Sequence, residues 1–268
     1  MRLPLVLAAL TVLLAAGCSE AASPPAPPAS PGAGLEAGSG GVVASVIDGN
    51  TLKLATGVTV RLVGLLAPAG PPFLGDTASW PLADAGRRKL AELTRGRTVH
   101  LWYGGRHKDR YGHLLAQVVG DDGLWIQGAM LKAGLARVET FADNRALADK
   151  MLVLESQARR AGLGLWANAA YRVRDIAGLD RDTDSFQLVE GQALSVAHRG
   201  RRTYINFGDD YRTDFTLTIP DSARRSFVAA AMEPEILAGL HMRVRGWVDK
   251  FNGPMITVTH PEQIEILE

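Results

Sequence analysis

Val46-Ile47-Asp48-Gly49-Asn50-Thr51-Leu52-Lys53-Leu54 is the stretch that decides how this chain folds. Two runs of β-favouring residues flank Asp48-Gly49-Asn50, a tripeptide suited to a tight reversal, and Leu52 and Leu54 alternate with polar neighbours. The spacing predicts strands over 42–47 and 51–55, and Thr56-Gly57 turns the chain again into a third run, Val58 to Leu65. Further on, Leu82, Ala85, Leu90 and Leu93 recur near helical spacing between Pro81 and Gly96, which predicts a helix with a basic outer face. Thr98 to Tyr103 and Leu114 to Val119 read as two more strands around a loop carrying Arg106, His107, Lys108, Asp109 and Arg110. Three strands, a helix and two strands is the order of an OB-type five-stranded barrel.

Helices are expected to pack on this barrel, a short one over 127–133 and a longer one capped by Asp143 or Asn144. Leu147, Met151, Leu154 and Ala158 would form the apolar stripe of the longer helix and Gly162 its stop. Trp166 is expected to plug apolar space, and the Glu155 and Arg159 pair to lie on an exposed helix face. Asp175 to Ser185 is polar and acidic and reads as a linker. Beyond it, Phe186 to Ala197, Thr203 to Phe207 and Asp214 to Ile219 resemble strands. A helix opens at Pro220-Asp221-Ser222, and Met242 to Val248 and Met255 to Thr259 close the unit around the turn signal Asn252-Gly253. The fold class is mainly β with α, an α+β chain of two small barrels. The first unit spans 42–174, the linker 175–185, and a second OB-like β unit 186–268.

The chain has 268 residues, of which 47% are apolar and 21% charged, so neither global disorder nor a multi-span membrane protein fits. Lys and Arg number 29 against 28 Asp and Glu, which excludes binding of polyanions by bulk charge and leaves only local patches. The single cysteine can form neither an internal disulfide nor a Cys-rich zinc site. It is Cys18, preceded by Arg2 and an apolar run from Leu5 to Ala16 that is too short to span a bilayer convincingly. Leu14-Ala15-Ala16-Gly17-Cys18 resembles the bacterial lipobox, so 1–18 is expected to be a lipoprotein signal ending at a lipidated Cys18. Ser19, where an Asp would imply retention at the inner membrane, points to the outer membrane facing the periplasm. Residues 19–41 hold Pro24, Pro25, Pro27, Pro28 and Pro31 among Ala, Ser and Gly, the composition of a tether.

Residues 42–167 resemble the staphylococcal-nuclease-like, or thermonuclease, family. The resemblance rests on the opening stretch, on Val60-Arg61-Leu62 through Ala67-Pro68, on Lys108-Asp109-Arg110-Tyr111-Gly112-His113-Leu114-Leu115-Ala116, on Gly134-Leu135-Ala136, and on a terminal Gly164-Leu165-Trp166. It implies phosphodiester cleavage by a calcium ion on acidic ligands, a glutamate that activates water, and two arginines on the phosphate. Arg61 matches the first arginine. At the other positions the chain departs from the family: Asn50 and Leu66 stand where the acidic ligands belong, Ala69 replaces the glutamate and His113 the second arginine. Calcium takes six to eight oxygen ligands, and Leu66 and Ala69 offer no side-chain oxygen. No cofactor is therefore expected and the calcium mechanism should fail, which leaves Arg61 and His113 as candidate phosphate contacts.

Arg87, Arg88, Lys89, Arg95, Arg97, Arg106, Lys108 and Arg110 cluster around the old cleft, with Arg106, Lys108 and Arg110 the candidate nucleic-acid contacts. Arg199-Gly200-Arg201-Arg202-Thr203-Tyr204, Phe207 and Tyr211 bring charge and aromatic surface to the second unit, the ingredients of single-strand binding. The leading expectation is an exported binding or envelope-interaction module. Two others stay open: a surviving phosphodiesterase that uses Arg61 and His113 with Asp76 or Asp109, and an envelope structural protein that binds another protein.

Overall fold

The Asp48 carboxylate accepts a hydrogen bond from the Asn50 amide at 2.9 Å, closing the reversal on which the first barrel turns. The structure, a computed structural model, describes residues 28–69 and 80–267. Its first unit contains β1 (Glu36–Asp48), β2 (Thr51–Leu54), β3 (Thr59–Leu62), β4 (Gly64–Leu66), α1 (Ala83–Thr94), β5 (Thr98–Tyr103), β6 (Leu114–Gly120), α2 (Ile126–Lys132), β7 (Arg137–Glu139) and α3 (Ala148–Arg160). The strands β1-β2-β3-β6-β5 close into a barrel, with β3 parallel to β6. The predicted OB-type barrel is therefore present. Its core joins Leu52, Val60, Leu62, Leu101 and Val118 to Leu90 of α1, Met130 of α2 and Met151 of α3. A separate ribbon, β4 paired with β7, carries the chain from the barrel toward the helices.

Several local expectations change. β1 begins at Glu36, inside the stretch read as a tether, and pairs with β5 through Glu36↔Tyr103 and Ala37↔Trp102. Its glycines allow close approach: a Cβ on Gly40 would fall 2.0 Å from the Val99 carbonyl oxygen. What looked like flexible composition is clearance for a neighbouring strand. α3 is entered through Leu147 at φ 66°, without a side-chain cap. Asn144 donates instead to the Arg106 carbonyl at 2.8 Å, and Asp143 pairs with Arg106 at 3.1 Å. Leu165, not Trp166, is the residue fully buried after α3, while Trp166 is half-buried under Arg159.

The second unit consists of β8 (Arg174–Asp175), β9 (Ser185–Gln192), β10 (Ser195–Arg199), β11 (Arg202–Asn206), β12 (Thr216–Pro220), α4 (Asp221–Ala229), β13 (His241–Phe251), β14 (Gly253–Thr257) and β15 (Ile264–Ile266). Its sheet runs β10-β11-β12-β14-β13-β9-β8, with β15 on β13 and β12 parallel to β14. The run expected as one strand over 186–197 breaks at Ala193 and Leu194, so that β9 pairs with β13 and β10 with β11. Counted as one bent strand, β9 and β10 return the sheet to its start, which is the strand order of the first barrel. The segment read as a linker packs on this sheet: β8 runs parallel to β9 and Leu179 is fully buried. Phe207, grouped above with binding aromatics, is likewise a core residue in contact with Phe215. Cys18, the rest of the signal and residues 19–27 of the tether lie outside the described residues.

The two units meet along β7 and α3 on one side and β9, β13 and β15 on the other. Arg137 donates to the Phe186 carbonyl at 2.8 Å, and Thr140 meets His260 at 2.8 Å. Between them Glu155, predicted to be exposed, is fully buried. Arg245, itself 1% exposed, bonds both Glu155 oxygens at 3.1 and 2.8 Å, the Val138 carbonyl at 3.2 Å, and Glu265. Arg159 and Arg243 reach Glu265 at 3.5 and 2.9 Å, and Arg243 also holds Glu190. Helical i,i+4 spacing made the Glu155 and Arg159 pair look solvated, but the countercharge arrives from ninety residues away.

Candidate phosphate-binding face

Arg61 lies at the centre of β3, between Val60 and Leu62, which are both fully buried in the barrel, so alternation turns its side chain outward. The register pairs Arg61 with Thr51 on one side and Leu115 on the other. His113, two residues before Leu115, falls on the same outward side by the same alternation. Arg61 thus lies on β3, and His113 in the turn that enters the neighbouring strand β6.

The turn before β6 is built by Asp109. Its carboxylate accepts from the Tyr111 and His113 amides at 2.8 and 3.0 Å and contacts the His113 ring at 3.0 Å. Burial would raise the Asp109 pKa, but these hydrogen bonds and the imidazole outweigh it and lower it. Asp109 braces this loop and holds the His113 ring; Asp76, the other carboxylate of that alternative, lies outside the described residues. Lys108 and Arg110 have no ion-pair partner among the described residues, and Arg110 lies 4.8 Å from the centre of the exposed Tyr111 ring. Arg106, by contrast, is engaged with Asp143. The remaining basic residues are also partly spoken for: Arg87 and Arg88 pair with Asp84, Lys89 with Glu92, and Arg97 with Asp122.

The positions that the resemblance assigns to calcium are engaged as follows. The Asn50 side-chain amide donates to the Leu65 carbonyl at 2.7 Å, and its backbone carbonyl accepts from Leu62 at 2.8 Å. Leu66 is half-buried and paired with Arg137 in the β4–β7 ribbon, and Ala69 is exposed. One neutral amide, an isobutyl group and a methyl group do not fit a hard dication that requires carboxylate charge.

Glu139 was missed. It lies at the end of β7 with its carboxylate 4.0 Å from the Arg61 guanidinium, and it accepts from the Trp247 indole of β13 at 3.1 Å. Burial raises its pKa, against the opposing pull of the Trp247 hydrogen bond, Arg61 and Arg137. Trp247 is 53% exposed and stands edge-on to Phe186, so the second barrel brings an open aromatic surface to the margin of the arginine. Nothing in the spacing of Arg61, Glu139 and Trp247 could have shown this, because the contact depends on how the two units dock.

The family model described as Staphylococcal nuclease homologue matches residues 59–168. A protein of Escherichia coli named as an uncharacterized endonuclease is 33% identical over 133 residues, 48% of this chain and 78% of that protein. This chain belongs to the staphylococcal nuclease homologue family. Endonuclease YncB of Bacillus subtilis (strain 168) is 29% identical over 128 residues, 47% of this chain and 60% of that protein. Membership attaches to the first barrel.

Proposed function

We propose that this chain is an exported, lipid-anchored protein whose nuclease-type barrel binds nucleic acid without the family's calcium chemistry. The observation that carries the reading is Arg61, outward on β3 with its side chain 41% exposed and sharing Glu139 with the Trp247 indole, in the same barrel as Lys108 and Arg110, unpaired among the described residues, and the exposed Tyr111. Guanidinium and ammonium groups hold the backbone phosphates, and exposed rings accept stacked bases, a combination suited to single strands. Asn50, Leu66 and Ala69 support the loss of catalysis, since the ion's charge stabilisation and the general base are both missing from the family's positions. Glu139 sets the strength of the site: an anion beside Arg61 competes with phosphate and keeps affinity moderate.

Gel-shift and nuclease assays on the purified protein, with and without calcium, test this. Binding of single strands that weakens with salt, without turnover, is the expected result, and Arg61→Ala is expected to lower affinity severalfold. Calcium-dependent cleavage abolished by Arg61→Ala would overturn the proposal in favour of a working nuclease. Neither binding nor cleavage would favour an envelope protein as the partner.

The anchor rests on the lipobox-like segment ending at Cys18 and places the protein on the outer membrane facing the periplasm. Cells fed a radiolabelled fatty acid are expected to label the wild-type protein and not Cys18→Ser. Equal incorporation in both would refute the anchor while leaving the binding proposal intact.

A further inference from the structure

A cleft of about 540 Å³ opens on the second barrel, outside the part of the chain that matches the nuclease family. Arg199 of β10, Tyr204 and Asn206 of β11 and Met255 of β14 line it, and Tyr211 and Phe251 stand at its rim. Strand alternation explains the floor: Thr203 and Ile205 turn into the core, so Tyr204 and Asn206 face the cleft. The rim is assembled from two loops. A Cβ on Gly253 would fall 2.5 Å from the Asp214 carbonyl oxygen, so the β13–β14 turn lies against the loop that carries Tyr211. This contact brings both rings to the same opening.

Tyr211 is 57% exposed and Phe251 65%. A phenylalanine at a hairpin tip forgoes the burial that normally stabilises it, and it shares the opening with a tyrosine, a second tyrosine on the floor and a side-chain amide. Arg199, Arg212 and Lys250 have no ion-pair partner among the described residues, and Arg212 lies 5.4 Å from the centre of the Tyr211 ring. The nearby acidic groups are partly occupied. Asp210 accepts from the Arg212 amide at 3.1 Å and Asp214 from the Asp210 amide at 2.8 Å.

We infer that this cleft is a second single-stranded nucleic-acid site, in which bases stack on Phe251, Tyr211 and Tyr204 while Arg199 contacts the phosphates. Base faces are flat and apolar and fit between such rings, and the Asn206 amide can meet a base edge. Few cations face the cleft, so stacking dominates, and the salt dependence is shallow compared with that of a basic groove. The site goes beyond the face around Arg61 and does not depend on it.

The test is fluorescence anisotropy of a short labelled oligothymidylate with the full-length protein and five variants: Phe251→Ala, Tyr211→Ala, the double variant of these two, Arg61→Ala, and Arg61→Ala combined with Phe251→Ala. Each aromatic replacement is expected to weaken binding about 5- to 150-fold, the range for loss of one base–aromatic stack. Introducing Phe251→Ala into the Arg61→Ala background is expected to weaken binding by a similar further factor, which separates this cleft from the first face. Circular dichroism and melting temperature confirm that the exposed-site variants remain folded. Wild-type affinity in the folded double variant overturns the inference, as does no binding by the wild type. Phe251-dependent binding of a neutral chito-oligosaccharide in place of the oligonucleotide overturns it as well, and reassigns the cleft to glycans.

Discussion

Replacing Arg245 with alanine is expected to cost about 3–5 kcal/mol of stability, the usual penalty for stranding a buried partner charge. The residue left behind is Glu155, fully buried between α3 and β7, whose oxygens would keep only the Val138 amide at 2.7 Å and the longer Arg159 contact at 3.3 Å. Burial works against the Arg245 charge, but the carboxylates of Glu155 and Glu265 outweigh it and raise its pKa. The same attraction lowers the pKa of Glu265 despite its burial. The guanidinium is therefore held charged, and the penalty is electrostatic as well as steric. Urea denaturation gives the number, and a loss below about 1 kcal/mol would show that water or a rearranged Arg159 compensates. The double variant Glu155→Leu with Arg245→Leu separates the two contributions. It removes one charge of each sign, leaves Arg159 and Arg243 to hold Glu265, and is expected to cost less than Arg245→Ala alone.

Acidification should loosen the same seam through His260. Burial, with the Arg145 charge second, holds this imidazole down at about 4 from an ordinary value near 6.5. Its two nitrogens meet Thr140 at 2.8 Å and Thr259 at 3.0 Å, partners suited to the neutral ring, and Arg145 is itself paired with Glu262. A depressed histidine pKa means that the unfolded chain takes the proton first. Stability is therefore complete above pH about 6.5, falls as the pH drops toward 4, and levels off below that, with a total loss of about 3 kcal/mol. Glu139 works the other way, since its raised pKa favours the folded state at low pH and that contribution fades as the pH rises. Comparing the wild type with His260→Asn from pH 7 to 4 removes the Glu139 contribution, which both share. The wild type should lose about 3 kcal/mol more than the variant across that range. Parallel pH profiles would mean that His260 does not carry the effect.

The closed barrel of the first unit was legible because apolar alternation and turn residues are local signals, and the nuclease resemblance singled out Arg61 and His113 through motifs written in consecutive residues. Three misreadings share a different cause. Gly38 to Gly41 looked like tether because small residues signal flexibility and close packing equally well. Glu155 looked solvated because its helical neighbour Arg159 supplied a plausible partner on its own. Phe207 looked available for stacking because β-favouring aromatics occur in cores and on surfaces alike. In each case the deciding atom belongs to a segment far away in the chain. Glu139 and Trp247 were invisible for the same reason, as their relation to Arg61 exists only once β13 docks beside β7.

The seam along β7 also fixes a geometry. Arg245, His260 and Arg137 tie one unit to the other, so the face around Arg61 and the opening beneath Phe251 belong to one connected framework, like two pegs on a shared support. A polymer long enough to reach both pegs gains its second attachment at high effective concentration, whereas a shorter one grips a single peg and lets go. On the proposal that both faces bind single strands, chain length, more than base sequence, becomes the property by which the protein sorts what it holds.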